Sequence, residues 1–392
     1  MGDKRFSSTT FTSIHASATR GGTTSATRNA EETYKKEKRM DPLVDPKGLP
    51  HLGPIRLSLP RFTKKEIGGK SLWRLSIGMP MPEETLLDTT ASMGNNVDLA
   101  FNALPRSYEL LAGGTNPILE GYDVQIATAI FNDVEDNDRD GTPVLCRSQY
   151  EMAEKIALQM TMLIPGRGGC GNYKEDPQFG LFGAAYLTSA RINEYGLKRY
   201  HFTISDEPIV EQIDYQWLKQ IFGDNVLEYV KQNGYDFTPQ RIPDTAQAVE
   251  DLQEKSHAFY LHVPGWSRDN RVLDQWTDLY SPEYVVTLPE GTTHVHLMKA
   301  VIIGLTEGVL DLQSAKDFLL THQASPSVAN NIIRAVAHIP LGAQRLAKNY
   351  GKLPKAGDLF LEKTDLWPVD PATLEAKDGS GTSKTSAETE WL

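Results

Sequence analysis

The sequence predicts a doubly wound α/β fold with a mostly parallel central sheet, a helical C-terminal extension, and disordered N- and C-terminal tails. Three observations lead there. Apolar, strand-like runs alternate with helix-like stretches, the order of parallel strands covered by helices on both faces. An apolar fraction of 40% and a charged fraction of 23% over 392 residues belong to a folded chain long enough to bury its own core. The two ends are polar and carry few large apolar anchors.

In chain order, residues 1–40 read as a disordered, basic, Ser/Thr-rich tail, and 41–70 as an extended, Pro-rich lead-in laid over the core. The α/β domain is expected over 71–310. Trp73, Leu75, Ile77 and Met79 alternate as in a strand with one buried face. Pro80 and Pro82 remove ladder donors, so either the strand before Asp88 is confined to Glu84–Leu87 or the loop there is unusual. A helix interrupted by Pro105 is expected over 96–112, a strand over 122–133, and helices over 148–164 and 179–196, with Gly196 suited to close the second. Further strands are expected at 197–208, 257–265 and 283–289, and a polar helical region at 209–233. Leu297, Val301, Ile302 and Leu305 then mark a core-facing helix. Residues 311–350 continue as the helical extension, with Pro326 in a first turn and a break at Pro340, and 351–392 form the polar C-terminal tail.

Composition narrows the function classes. Forty Lys and Arg against fifty-one Asp and Glu give a net charge of −11, which argues against coating nucleic acid. Two cysteines, Cys146 and Cys170, are too few for a disulfide framework and point to a reducing compartment. No apolar run reaches the roughly 18–20 residues that span a bilayer, and the first residues lack the apolar region of a secretory signal. The expectation is a cytoplasmic protein with no membrane partner.

In open parallel sheets the binding crevice lies beyond the carboxyl ends of the strands, so residues at those positions are the candidates for chemistry. Asp88-Thr89-Thr90-Ala91-Ser92-Met93-Gly94 places a carboxylate and two hydroxyls at alternate positions, so that Asp88, Thr90 and Ser92 converge on one point in an extended turn. A hard divalent cation takes such oxygen ligands. A plain helix N-cap also uses Asp, Thr and Ser. Ser205-Asp206-Glu207 ends another strand and supplies a further acid if the two strands are neighbours.

The DxTxSMG order after a strand, with a later strand ending in an acid, resembles the von Willebrand factor A (VWA) domain and its metal-ion-dependent adhesion site. The glycine-rich stretch 166–186 and FTISDE (202–207) resemble the intracellular bacterial and phage branch of that family. The resemblance implies a Rossmann-like fold with one Mg²⁺ (or Mn²⁺) at the top of the sheet. Thr90 and Ser92 would be direct ligands, Asp88 a ligand through water, and Asp206 the acid of the third loop. The threonine common in the family's second loop is missing here. Asn172, Glu175 and Asp176 are the replacements, with Glu175 preferred because it precedes the helix.

Other signals are weaker. Asp136, Asp138 and Asp140, followed by Gly141, resemble half of a calcium loop, but Arg147 stands where a bidentate Glu is required, and Ca²⁺ ranks behind Mg²⁺. His294 and His296 read as an ordinary pair at a helix start. Gly166, Gly168, Gly169 and Gly171 lack the Gly-Lys-Ser/Thr of a P-loop, and Cys170 reads as a small buried thiol.

The functional expectation is a metal-dependent adaptor whose Mg²⁺ is completed by an Asp or Glu from a protein partner. The resemblance implies an AAA+ ATPase, or another member of a stress or phage-defence system, as that partner. A virion or assembly scaffold using the same fold is the alternative, and a Mg²⁺-dependent hydrolase comes third.

Overall fold

The computed structural model describes residues 23–48, 61–67, 70–76, 79–113, 117–119, 122–151, 155–166, 168, 174–190, 192–193, 196–265 and 270–346. Residues 1–22 of the tail expected at 1–40, the last residues of the extension (347–350), the whole tail expected at 351–392, and the second-loop positions Gly169, Cys170, Gly171 and Asn172 lie outside these residues. The chain divides into two compact units, a main one built chiefly on 79–353 and a small one that includes 59–78.

The expected N-terminal tail is in part a helix, α1 (Thr23–Glu37), with Lys35 and Lys36 in its last turn, where cations complement the helix dipole. Tyr34 is half-buried and supplies the apolar anchor that composition alone undervalued. The lead-in that follows is not extended at its start. Asp41 and Asp45 each accept a backbone N–H two residues on, so Asp41–Gly48 is a pair of turns. Val44 is fully buried there, and its carbonyl accepts from Arg147 N.

In the small unit, β1 (Arg61–Ile67) pairs antiparallel with β2 (Lys70–Ser76), Arg61 opposite Ser76. Trp73 and Leu75 therefore belong to a hairpin and not to the central sheet, which begins at Met79 rather than at 71.

The main unit runs β3 (Met79–Asp88), α2 (Asn96–Ala103), β4 (Tyr122–Phe131), α3 (Val134–Asp140), β5 (Leu145–Arg147), α4 (Lys155–Met160), α5 (Gln178–Tyr186), β6 (Arg199–Ser205), α6 (Tyr215–Phe222), α7 (Val226–Gln232), α8 (Thr245–Lys255), β7 (Ser256–His262), α9 (Asn270–Tyr280), β8 (Val285–Thr287), β9 (Pro289–Thr292), α10 (Val295–Glu307), α11 (Leu312–Thr321) and α12 (Pro326–Val336). Six strands form one sheet in the order β5-β4-β3-β6-β7-β8. Every pair is parallel except β4 with β5 at the edge. Numbered within the sheet, this is the 3-2-1-4-5-6 order of doubly wound folds, whose switch point lies between its first and fourth strands, here β3 and β6. The expected α/β, Rossmann-like class is what the chain adopts.

Strand β3 is longer than its prolines suggested. It pairs with β4 over its whole length, Met79 with Tyr122 through to Asp88 with Phe131. Pairing with β6 starts only at Glu83. Pro80 and Pro82 have the same parity, and the flank ahead of Glu83 has no ladder for their missing N–H groups to break.

Helices cover both faces. Helix α5, QFGLFGAAY, is buried along its whole length and apolar all round, as a core helix must be. A Cβ on Gly180 would strike the Leu86 side chain, so glycine lets α5 lie against β3. Phe182, Leu252, Tyr260 and Trp276 join the same core, each large apolar side chain contributing about 1.5–3 kcal/mol on burial. Helix α10, likewise buried throughout, lies on the opposite face. Adjacent acids on β3 serve these two faces. Lys299 of α10 donates to Glu83 (2.8 Å), while Arg147 donates to Glu84 through Nε (2.5 Å) and Nη2 (2.8 Å). The extension holds two α-helices as expected, α11 and α12; α12 ends at Val336, ahead of Pro340, and a short 3₁₀ turn, Ala343–Leu346, follows.

Candidate metal centre

The carboxyl ends of β3 and β6 meet at the switch point, and three loops deliver oxygen atoms there. Asp88 ends β3, fully buried. Its Oδ1 accepts from Thr90 N (2.8 Å) and Thr90 Oγ1 (2.7 Å), and its Oδ2 from Ser205 Oγ (2.7 Å). Thr90 Oγ1 also lies 3.1 Å from Ser92 Oγ and 3.1 Å from Glu175 Oε1. Ser92 Oγ in turn donates to Asp206 Oδ1 at 2.9 Å. Asp88, Thr90, Ser92, Glu175 and Asp206 thus lie in one hydrogen-bonded cluster. The plain N-cap reading does not describe them, because Thr90 caps the turn Ala91–Met93 without a side-chain hydrogen bond.

Proton counting shows what this cluster lacks. Each hydroxyl has one proton to give. The four contacts Thr90–Asp88, Thr90–Glu175, Thr90–Ser92 and Ser92–Asp206 share the two protons of Thr90 and Ser92. Two contacts therefore need a protonated carboxyl or a cation between the oxygens. Burial, then the Asp206 charge, pushes Asp88 up to about 8. Burial with the charges of Asp88 and Asp133 raises Glu175 well above the carboxylate range, and burial raises Asp206. Glu175 Oε2 and Asp133 Oδ1 are both buried without a hydrogen-bond partner. Asp133 is itself pushed up to about 6, chiefly by burial.

The donor set suits a hard cation, which prefers oxygen throughout. For ligands about 2.1 Å from an ion, adjacent octahedral corners stand about 3 Å apart, close to the 2.9–3.1 Å between Asp206, Ser92, Thr90 and Glu175 oxygens. Among the described residues no three His, Cys, Asp or Glu side chains suffice to hold an ion by themselves, so the hydroxyls of Thr90 and Ser92 are integral to any such set.

The loops are held by backbone contacts. Ala91 N donates to Gly168 O (2.6 Å), tying the first loop to the glycine-rich one. Asn132, just after β4, accepts from Thr89 Oγ1 and Gly166 N and donates to Pro143 O, fastening three segments. A Cβ on Gly166 would collide with that Asn132 side chain. Glu175 pairs through its backbone with Pro208 and Val210, which sets the second loop beside the third. Trp276, stacked on Tyr260 at 3.9 Å, donates from its indole to Glu207 O, and Tyr260 donates to Ser205 O.

Of the second-loop alternatives, Asp176 is committed elsewhere: it accepts from Val134 N and from Gln178. Asp133 joins the site as a residue the sequence did not point to, and Ser205, named only within the strand end Ser205–Glu207, supplies a hydroxyl to Asp88. Their signal was available, since each lies at or just beyond a strand end. The calcium-loop expectation is overturned. Asp136 and Asp138 lie within α3 and Asp140 is its last residue, and Gly141 is its left-handed terminator (φ 68°), not the turn of a loop. At about 100° per residue, Asp138 points nearly opposite Asp136, and Asp136 is paired with Arg139 at 2.8 Å. Arg147, where the calcium loop needs its Glu, is bound to Glu84. His294 and His296 do stand at a helix start, the N-cap and first turn of α10.

No family model matches the chain, and no curated protein matches it. Among solved structures it is similar to the pilus adhesin SpaC of Lactobacillus rhamnosus GG, at 13% identity and a TM-score of 0.38 over 63% of this chain. A structure of that adhesin in an open conformation gives 13% identity and a TM-score of 0.39 over 66%. The chain spans about a third (34%) of the adhesin's length. Among the described residues no helix is long and apolar enough to cross a membrane.

Proposed function

We propose that this chain is a metal-ion-dependent protein-binding module of the VWA type, in which Asp88, Thr90, Ser92, Glu175 and Asp206 hold Mg²⁺ (or Mn²⁺). One observation carries the reading: at the switch point, four oxygen–oxygen contacts share two hydroxyl protons. A divalent cation supplies what the protons do not, and it keeps the buried carboxyls ionised. Such an ion takes about six oxygens and readily keeps water among them. Ser92 and Glu207 are only half-buried, so the approach to the ion runs past them. An Asp or Glu of a partner protein replacing one water would neutralise the remaining charge, which is recognition rather than turnover. An AAA+ ATPase is the partner class that the motif resemblance suggests.

The test is Mg²⁺ titration by calorimetry on the wild type and Asp206→Ala. The reading expects one ion per chain, lost or at least about tenfold weaker in the variant. A partner captured in Mg²⁺ should be released by EDTA. Equal Mg²⁺ affinity in both proteins would refute the site, and chelator-insensitive capture would refute the bridge.

A further inference from the structure

We propose that a second site, a cavity between the turn Leu104–Arg106, the π-turn Glu109–Gly113 and the facing ends of α10 and α11, binds a small oxyanion of the phosphate type held by Arg106 and His296. The cavity has a volume of about 140 Å³, far above the roughly 10–15 Å³ that one water needs. Its walls are mainly polar, with Arg106, Glu109, His296, Thr321, His322 and Gln323.

His296 is 3% exposed, and its Nδ1 is buried without a hydrogen-bond partner although the ring lines the cavity. A buried polar atom is rarely left unpaired unless something outside the chain completes it. Arg106 is exposed at the rim and enters no ion pair among the described residues. A guanidinium there presents paired N–H donors that match the geometry of a phosphate.

Burial lowers the basicity of His296 most, and Arg106, His294, Lys299 and His322 all act in the same direction, with no acid among them. Glu109, the one acid among the lining residues, acts on His322. His296 also lies in the first turn of the 13-residue helix α10, whose dipole favours an anion.

Two backbone irregularities border the same space. Glu109–Gly113 is a π-turn, a form that occurs frequently at functional sites. Gln323 holds φ at 66° as the residue that closes α11, its N–H donating to Leu320 O while Ala324 N–H donates to Leu319 O.

The test uses the full chain in EDTA, so that it stands apart from the Mg²⁺ reading. Inorganic phosphate and phosphoserine are titrated separately while the ring signals of His296 and His322 are followed by NMR at constant ionic strength. The proposal expects saturable shifts with a Kd of about 1 mM or tighter, weakened at least about tenfold in Arg106→Ala and partly restored in Arg106→Lys. Arg106 is exposed, so the alanine variant should keep the wild-type unfolding midpoint, which is checked in parallel. Equal binding of both probes assigns the site to free phosphate, and tighter phosphoserine binding assigns it to a phosphorylated residue. The absence of saturable shifts with both probes, or the same shifts in Arg106→Ala, overturns it.

Discussion

Proton release should accompany metal binding, and its size follows from Asp88. That carboxyl is raised from an ordinary 3.8 to about 8 when no ion is present. A group raised on folding stabilises the protein below its unfolded value, and that contribution is lost as pH rises through the folded value, so the ion-free chain loses stability toward pH 8. At pH 7 only about a tenth of Asp88 is ionised, and at pH 8.5 about three quarters. Because the ion needs the carboxylate, its apparent affinity should rise about eightfold over that interval, or about 1.2 kcal/mol. Glu175, raised in the same direction, adds to this. His262 and Lys255 also titrate abnormally, lowered to about 4 and about 8 mainly by burial, but both lie outside the ligand set and act alike with and without the ion. The decisive quantity is therefore the stability gap between Mg²⁺ and EDTA, read from urea midpoints at both pH values beside the calorimetric Kd. A gap that stays constant, or narrows with rising pH, refutes the reasoning.

Two further outcomes follow from the fold. Asp138 is an exposed helical residue, so Asp138→Asn should change unfolding by no more than about 0.5 kcal/mol and leave cation binding as it was; a lost Ca²⁺ response in calorimetry would restore the calcium loop. Arg147→Met strands Glu84 as an unpaired buried charge and should cost about 3–5 kcal/mol in a urea titration, while Glu84→Gln with Arg147→Met recovers most of it; equal losses in single and double variants would show that the pair itself is the stabilising element.

The strands and the ligand loop were legible because their signals are local. The apolar runs at 122–131 and 199–205 and the alternation of Asp88, Thr90 and Ser92 need no distant partner. The buried acids were not legible for the converse reason. Nothing local marks Glu83 and Glu84 as buried, because Lys299 and Arg147, which neutralise them, are far away in sequence. Helix α8 was missed although Asp244 caps it and Ala248, Val249 and Leu252 give it one apolar side, a pattern thinned by intervening charges. The acids of α3 misled because a first turn rich in Asp and Glu, closed by glycine, has the same composition as half of a calcium loop.

The buried ion pairs beneath the site bear on how Asp88 is placed. Neighbouring residues of a strand face opposite sides, so a one-residue slip of β3 would turn Glu83 toward Arg147 and Glu84 toward Lys299 while sending Leu86 and Leu87 to the wrong faces. Both acids would still meet a cation, but the bidentate fork between Arg147 and Glu84, the Tyr150 donation to Glu84 (2.9 Å) and the pocket of Lys299 beside Thr85 (2.5 Å) would be lost together. A buried pair adds little net stability over an apolar one, but a mispaired one is costly, so such pairs select register more than they strengthen the fold. Register sets which residue leaves the sheet last. Two turns of pleat beyond Glu84, that residue is Asp88, and the hydroxyls of Thr90 and Ser92 follow it into the switch point. The charges in the core and the oxygens above it are thus consequences of one strand alignment, the first fixing where the second can stand.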